Sequence, residues 1–183
     1  MKALNLTLLV WISAAVGGPT PNFPLVNQMG KPFQLHDLKG NYVFVSFIYT
    51  RCPLPKMCPL TMALSKALFL QAKQRLEKVP VHFLFVTLDP RNDTPSVLES
   101  FAKSHHLDNQ KNISFATGSA QVLADLASEF NVIGVPADGT ISHNIKSLLL
   151  GPDLKTIKEY KDNDWKPAAV IADVLASRSV TAP

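Results

Sequence analysis

Two stretches of the chain, Val43-Phe44-Val45-Ser46-Phe47-Ile48 and Val81 through Leu88, are apolar almost without interruption. A strand with apolar side chains at both parities cannot leave either face in water, so it must lie inside a sheet covered on both sides. The cover has to be helical, and the intervening sequence supplies it. From Pro59 to Lys78, Leu60, Leu64, Leu68 and Leu76 recur at helical spacing with Ala63, Ala67 and Ala72 beside them. Thr94-Pro95 opens a second helix towards His105, with Thr94 as N-cap and Pro95 at the first helical position. Ser119 caps a third, running to Phe130 with Val122, Leu123, Leu126 and Phe130 facing inwards, and a last helix spans Pro167 to about Ala176. Shorter strands fall at Phe33–Leu35, Ile113–Ala116, Ile145–Leu150 and Ile157–Tyr160, the last two joined by the turn Gly151-Pro152-Asp153. Residues 131–142, with Gly134, Pro136 and Gly139, read as a loop. Strands alternating with helices and closed by a hairpin and a helix define an α/β fold with a mixed central sheet flanked by helices.

At 183 residues and 46% hydrophobic content the chain can bury one sizeable core. The expected boundaries are a leader over residues 1–18, one domain over 19–178 and a short tail over 179–183. Met1-Lys2, the uncharged stretch to Gly18 and the small residues Ser13-Ala14-Ala15 have the order of a secretory signal, which would anchor the protein to the membrane if retained. The alternation of Leu4, Leu6, Leu8 and Val10 allows N-terminal strands instead. Export would place the protein in the periplasm or on the outer face of the cytoplasmic membrane, where oxidation of thiols is permitted. The net charge of +4 is spread along the chain rather than gathered into a stripe, which argues against nucleic acid as a partner.

The chain has two cysteines, in Thr50-Arg51-Cys52-Pro53-Leu54-Pro55-Lys56-Met57-Cys58-Pro59, between a buried strand and a helix. Residues before proline avoid the α region, so Cys52, Leu54 and Cys58 should be extended or turn-like. Cys58 is then expected as the N-cap and Pro59 as the first helical residue, and the helix dipole should depress the Cys58 pKa. Three uses of the pair follow from the residues: a nucleophile and its resolving partner, a soft metal clamp, or an inert disulfide. Structural zinc would need two more protein ligands. Thr50-Arg51 would suit a peroxidase-like variant, and Met57 is a loop methionine expected to pack on the core.

Among the five histidines, His36 lies in a turn, His82 inside an apolar strand, and His105-His106 at a helix C-terminus, where a cation is favoured for structural reasons. His143 stands apart, in Gly139-Thr140-Ile141-Ser142-His143-Asn144 at the end of a Gly/Pro-rich loop. Asp89 ends a central strand at the edge that carries the cysteines; it either orients a ligand there or simply terminates the strand. Asp93 sits beside a helix cap, a structural position.

Phe47-Ile48-Tyr49-Thr50-Arg51-Cys52-Pro53 with Cys58-Pro59, the segment Val86-Thr87-Leu88-Asp89-Pro90-Arg91-Asn92-Asp93-Thr94-Pro95, and His143 together resemble the Sco (SenC) family of thioredoxin-like copper-binding proteins. The resemblance spans about Pro21 to Ala176. It implies a thioredoxin-like fold and copper, Cu(I) or Cu(II), held by Cys52, Cys58 and His143, with Asp89 behind the ligands. It further implies a role in assembling the CuA site of cytochrome c oxidase, as metallochaperone, as thiol reductant, or both. The partners would be the oxidase subunit that carries CuA, or another copper protein, and a thiol reductant. A thiol-disulfide oxidoreductase without obligatory metal is the alternative. The chain departs from the family at one place: five residues separate the cysteines where three are usual, which lengthens the loop and shifts the first sulfur relative to the helix.

Overall fold

The computed structural model describes residues 20–137 and 140–181, for 135–137 and 180–181 the backbone alone. The expected leader over residues 1–18, and Gly139, lie outside them. The strands are β1 (Pro24–Asn27), β2 (Pro32–Gln34), β3 (Tyr42–Ile48), β4 (Val81–Thr87), β5 (Ile113–Thr117), β6 (Gly134–Ala137), β7 (Thr140–His143), β8 (Lys146–Leu150) and β9 (Thr156–Lys161). The helices are α1 (Cys58–Arg75), α2 (Pro95–Ser104), α3 (Ala120–Glu129) and α4 (Pro167–Thr181), and a short 3-10 turn covers Leu35–Leu38.

Seven strands form one mixed sheet in the order β2-β1-β5-β4-β3-β8-β9. β3, β4 and β5 run parallel at its centre, and β8 and β9 close one side antiparallel. Every residue of β3 is buried, as its two-sided apolar sequence requires. One parity of the central strands, Phe44, Ile48, Phe83, Phe85 and Phe115, packs with Met62, Leu68 and Phe69 of α1, Leu98 of α2 and Val170, Ile171 and Val174 of α4. The other parity, Val43, Val45, Phe47, Leu84 and Val86, packs with Leu123, Leu126 and Ala127 of α3 and with Leu35 and Leu38. The mixed sheet between helices is therefore as expected. Two polar pairs are set into it: the buried hydroxyls of Ser46 and Ser147, 2.8 Å apart across the β3–β8 pair, and Lys146, whose ammonium reaches Glu159 and the Phe130 carbonyl.

Several boundaries differ from those expected. Leu35 belongs to the 3-10 turn, not to a strand, because Gln34 and Asp37 close a capping box there. α1 ends at Arg75 rather than Lys78, and α4 continues past Ala176 to Thr181. β1, which the sequence did not mark as a strand, pairs with both β2 and β5. The region read as a loop over 131–142 contains a hairpin, in which β6 pairs antiparallel with β7 as a separate two-stranded sheet.

Candidate functional site

β3 ends beside β4, with Ile48 opposite Thr87, and the chain then leaves the sheet through Tyr49, Thr50 and Arg51. Asp93, fully buried, holds this exit. Its carboxylate accepts the Thr50 N–H at 3.1 Å, the Thr50 hydroxyl at 2.6 Å and the Thr87 hydroxyl. Arg51 forms an ion pair with Asp89 at 2.9 Å, and the Asn92 amide donates to both Asp89 oxygens at 2.9 and 3.0 Å. Asp89 thus reaches the site through the residue before Cys52. The Thr50 hydroxyl and one Arg51 nitrogen are thus directed at these carboxylates.

The five-residue spacer folds as a compact turn, with the Met57 N–H donating to the Leu54 carbonyl at 2.9 Å. α1 begins at Cys58 itself, with half-buried Met57 as the N-cap. The expectation that Cys58 caps the helix and Pro59 starts it is off by one residue. Pro59 tolerates this because the first turn of a helix leaves its N–H groups without intrahelical partners.

Both cysteines are free thiols, Cys58 buried and Cys52 half-buried. Burial pushes the Cys58 thiol up to about 12, assisted by the neighbouring Cys52 sulfur. This overturns the expected depression at Cys58. A helix N-terminus contributes only about 0.3–1 kcal/mol towards a thiolate, less than desolvating one at a site 2% exposed costs. Burial opposes ionisation at Cys52 too, but there the N–H groups of Leu54 and Cys58, the Cys58 thiol and the Tyr49 hydroxyl hold the pKa below its ordinary value. Cys52 is the sulfur that ionises first.

His143 ends β7 and faces this pair, its Nε2 3.9 Å from Cys58 Sγ. Its Nδ1 lies 3.0 Å from the Asn144 carbonyl. A carbonyl can only accept, so the proton is assigned to Nδ1, and Nε2 presents a lone pair towards the sulfur. Burial lowers the His143 pKa, which keeps the ring neutral. Tyr49 supports the ring edge-on at 6.0 Å, and its hydroxyl accepts the Ile141 N–H of β7 at 3.4 Å.

Of the remaining histidines, His106 is exposed at the end of α2 and three serve the fold. His36 Nε2 bonds the Thr20 carbonyl, His82 is buried against the Ser114 hydroxyl, and His105 packs on Phe101. Among the described residues no three His, Cys, Asp or Glu side chains are drawn together tightly enough to hold an ion as they stand. Cys52, Cys58 and His143 are neighbours in pairs, not a closed cage. Their chemistry nevertheless fits a soft ion: two sulfurs and a neutral imidazole with its unprotonated nitrogen turned inwards. Beside them opens a cleft of about 1020 Å³, lined in part by Tyr49, Arg51, Asp89, Asn92, Ile133 and Ile141.

Three contributors escaped the sequence reading. Tyr49 and Asn144 adjoin Thr50 and His143, but only the fold shows which groups they touch. Asn163, which bonds the end of the spacer, lies 107 positions from Lys56 and carries no local signal.

A mixed α/β sandwich with a thiol pair at the junction of a central strand and a helix, and an imidazole from a facing hairpin, defines a thioredoxin-like protein equipped for thiol or soft-metal chemistry. The SCO1/SenC family model matches residues 15–178, and the chain belongs to that family. A Bacillus subtilis relative, described as an SCO1 protein homolog, is 30% identical over 195 residues, covering 98% of each chain. The structure of BsSco, described as a member of the Sco family of cytochrome c oxidase assembly proteins with a disulfide switch, matches with a TM-score of 0.75 at 30% identity. That match covers 89% of this chain and 95% of that one. ScoI of Arabidopsis thaliana, solved with copper bound, shares the fold with a TM-score of 0.75 at 22% identity, over 87% of this chain and 99% of that one.

Proposed function

We propose that this protein binds one copper ion through Cys52, Cys58 and His143 and passes it, or reducing equivalents, to a copper protein during assembly of cytochrome c oxidase. The recipient in this proposal is the oxidase subunit that carries the CuA site. The observation that carries the proposal is the approach of His143 Nε2 to Cys58 Sγ at 3.9 Å, with Nδ1 already engaged by the Asn144 carbonyl. Two thiolates and an imidazole suit Cu(I), which accepts low coordination and soft donors. Binding releases the thiol protons, and the partly exposed Cys52 is the donor a recipient can reach first by ligand exchange. Family membership supports the copper role. The leader-like segment over residues 1–18 supports export, to the periplasm or the outer face of the cytoplasmic membrane, with anchoring there if the segment is retained. Among the described residues no helix is long and apolar enough to cross a membrane.

The asymmetry of the two thiols favours a second use of the same pair. Cys52, the readier thiolate, attacks a partner disulfide and forms a mixed disulfide while one partner thiolate leaves. Cys58 then displaces the second partner sulfur. The products are a Cys52–Cys58 disulfide and a reduced partner dithiol, so two electrons pass to the partner.

Titration of the reduced protein with Cu(I) against a chromophoric chelator tests the first use. One ion per chain is expected. Either Cys→Ser variant should lose it, and His143→Ala, which removes a ligand itself, should weaken retention by at least the about 10–100-fold that loss of a group hydrogen-bonded to a ligand costs. Undiminished binding by His143→Ala removes the three-donor site. Turnover of a disulfide substrate with and without copper tests the second use; rapid metal-free turnover would make thiol exchange the primary activity.

A further inference from the structure

The cysteine spacer, five residues long, is tied at one end by a side chain from the far end of the chain. Asn163 lies in the connection between β9 and α4. Its Nδ2 donates to the Lys56 carbonyl at 3.0 Å and to the Met57 carbonyl at 3.2 Å. Its Oδ1 lies 3.0 Å from the hydroxyl of Thr61, in the first turn of α1. The same hydroxyl is 3.1 Å from the Met57 carbonyl, so amide, hydroxyl and carbonyl form a closed cluster at the helix start. Asp162, the residue before, takes a positive φ of 56° and donates its N–H to the Ile145 carbonyl, which turns the chain towards α1.

We propose that Asn163 is a positioning residue that sets the gap between Cys52 and Cys58, and through it the ease with which the pair closes to a disulfide. This rests on the reading of Cys52 and Cys58 as a working thiol pair. Within the spacer the Leu54 carbonyl takes the Met57 N–H; the Met57 carbonyl takes the Thr61 N–H of α1 at 2.9 Å as well as the Asn163 amide, and the Lys56 carbonyl is held from outside, by Asn163. The reduced loop is therefore already ordered before the sulfurs join. Without the clamp the reduced loop gains conformational freedom, whereas the oxidised loop remains closed by its own bond. The dithiol is then favoured over the disulfide.

The equilibrium to measure is protein dithiol plus oxidised glutathione giving protein disulfide plus two reduced glutathione, followed by alkylation and mass. Asn163→Ala should lower the equilibrium constant about tenfold, equal to about 30 mV for a two-electron couple. Asn163→Asp, which keeps an oxygen for Thr61 but loses both donors to the carbonyls, should shift it in the same direction. Asn112→Ala removes a comparable side-chain bond, to the Val81 carbonyl at the opposite end of the strands, and should leave the constant unchanged. A wild-type pair that titrates normally while Asn163→Ala and Asn163→Asp stay within twofold of it overturns the proposal alone. Equal shifts in Asn163→Ala and Asn112→Ala overturn it as well, since the effect would then be general destabilisation. A wild-type pair that never oxidises overturns the reading of the site and this proposal with it.

Discussion

Asp93 offers the sharpest test of how the fold holds the cysteine loop. Its carboxylate is fully buried and accepts from the Thr50 N–H, the Thr50 hydroxyl and the Thr87 hydroxyl. Asp93→Ala strands the Thr50 N–H away from water, at about 1–3 kcal/mol. The two hydroxyls can turn to other acceptors, and the Thr87 oxygen keeps the Asp89 N–H at 2.9 Å, so each contributes the smaller net worth of about 0.5–1.5 kcal/mol. Removing a buried charge returns part of its desolvation cost. The expected net loss is about 2–4 kcal/mol, or about 4–16 °C in Tm for a domain of this size. Asp93→Asn keeps the volume and one acceptor and should lose about 1–2 kcal/mol. Urea unfolding of the reduced protein, extrapolated linearly to water, measures both. Amide exchange at Cys52, two residues beyond Thr50, should quicken in Asp93→Ala. A loss below about 0.5 kcal/mol with unchanged exchange would refute the view that this carboxylate pins the strand exit.

Iodoacetamide should label Cys52 first across about pH 6–9, with Cys58 following only as the pH climbs towards about 12. Mass mapping that finds Cys58 labelled first, or both together, would reverse the assignment of the two thiols. Cys58 is raised in the fold, so its neutral thiol stabilises the protein below its unfolded pKa and that contribution fades as the pH rises through the folded value; a Cys58→Ser variant should lose this alkaline slope in urea titrations. Ser46→Ala should cost about 1–2 kcal/mol by orphaning the Ser147 hydroxyl, while the double change Ser46→Ala with Ser147→Ala should come back to within about 1 kcal/mol of wild type. Additive losses in that cycle would mean that the two hydroxyls do not interact.

The central layer was legible because hydrophobic parity states it directly. β3 and β4 carry apolar residues on both sides, and the helices announce themselves through Thr94-Pro95, Ser119 and Pro167. β1 was hidden because its four residues depend on β2 and β5 for their pairing rather than on any pattern of their own. The hairpin of β6 and β7 was hidden by Pro136, which reads as a loop residue but is tolerated on an edge strand. At the site, residue types pointed to Cys52, Cys58 and His143, yet the balance between the thiols was misjudged. The helix dipole is visible in sequence as a strand-to-helix junction, whereas the burial of Cys58 is a property of the assembled core and outweighs it.

His143 belongs to a hairpin that pairs with itself and not with the seven-stranded sheet. Among the described residues, the Asn144 side chain spans Asn131 and Ile133, the Tyr49 hydroxyl takes the Ile141 N–H, and the Ile141 side chain packs on the core. Cys58 is rooted in α1 and Cys52 follows the end of β3, whereas His143 is carried by the separate hairpin, seated through Ile141 and Tyr49. In the proposed copper site the donors therefore come from separately built elements, and the site's geometry is a property of how the hairpin meets the sheet.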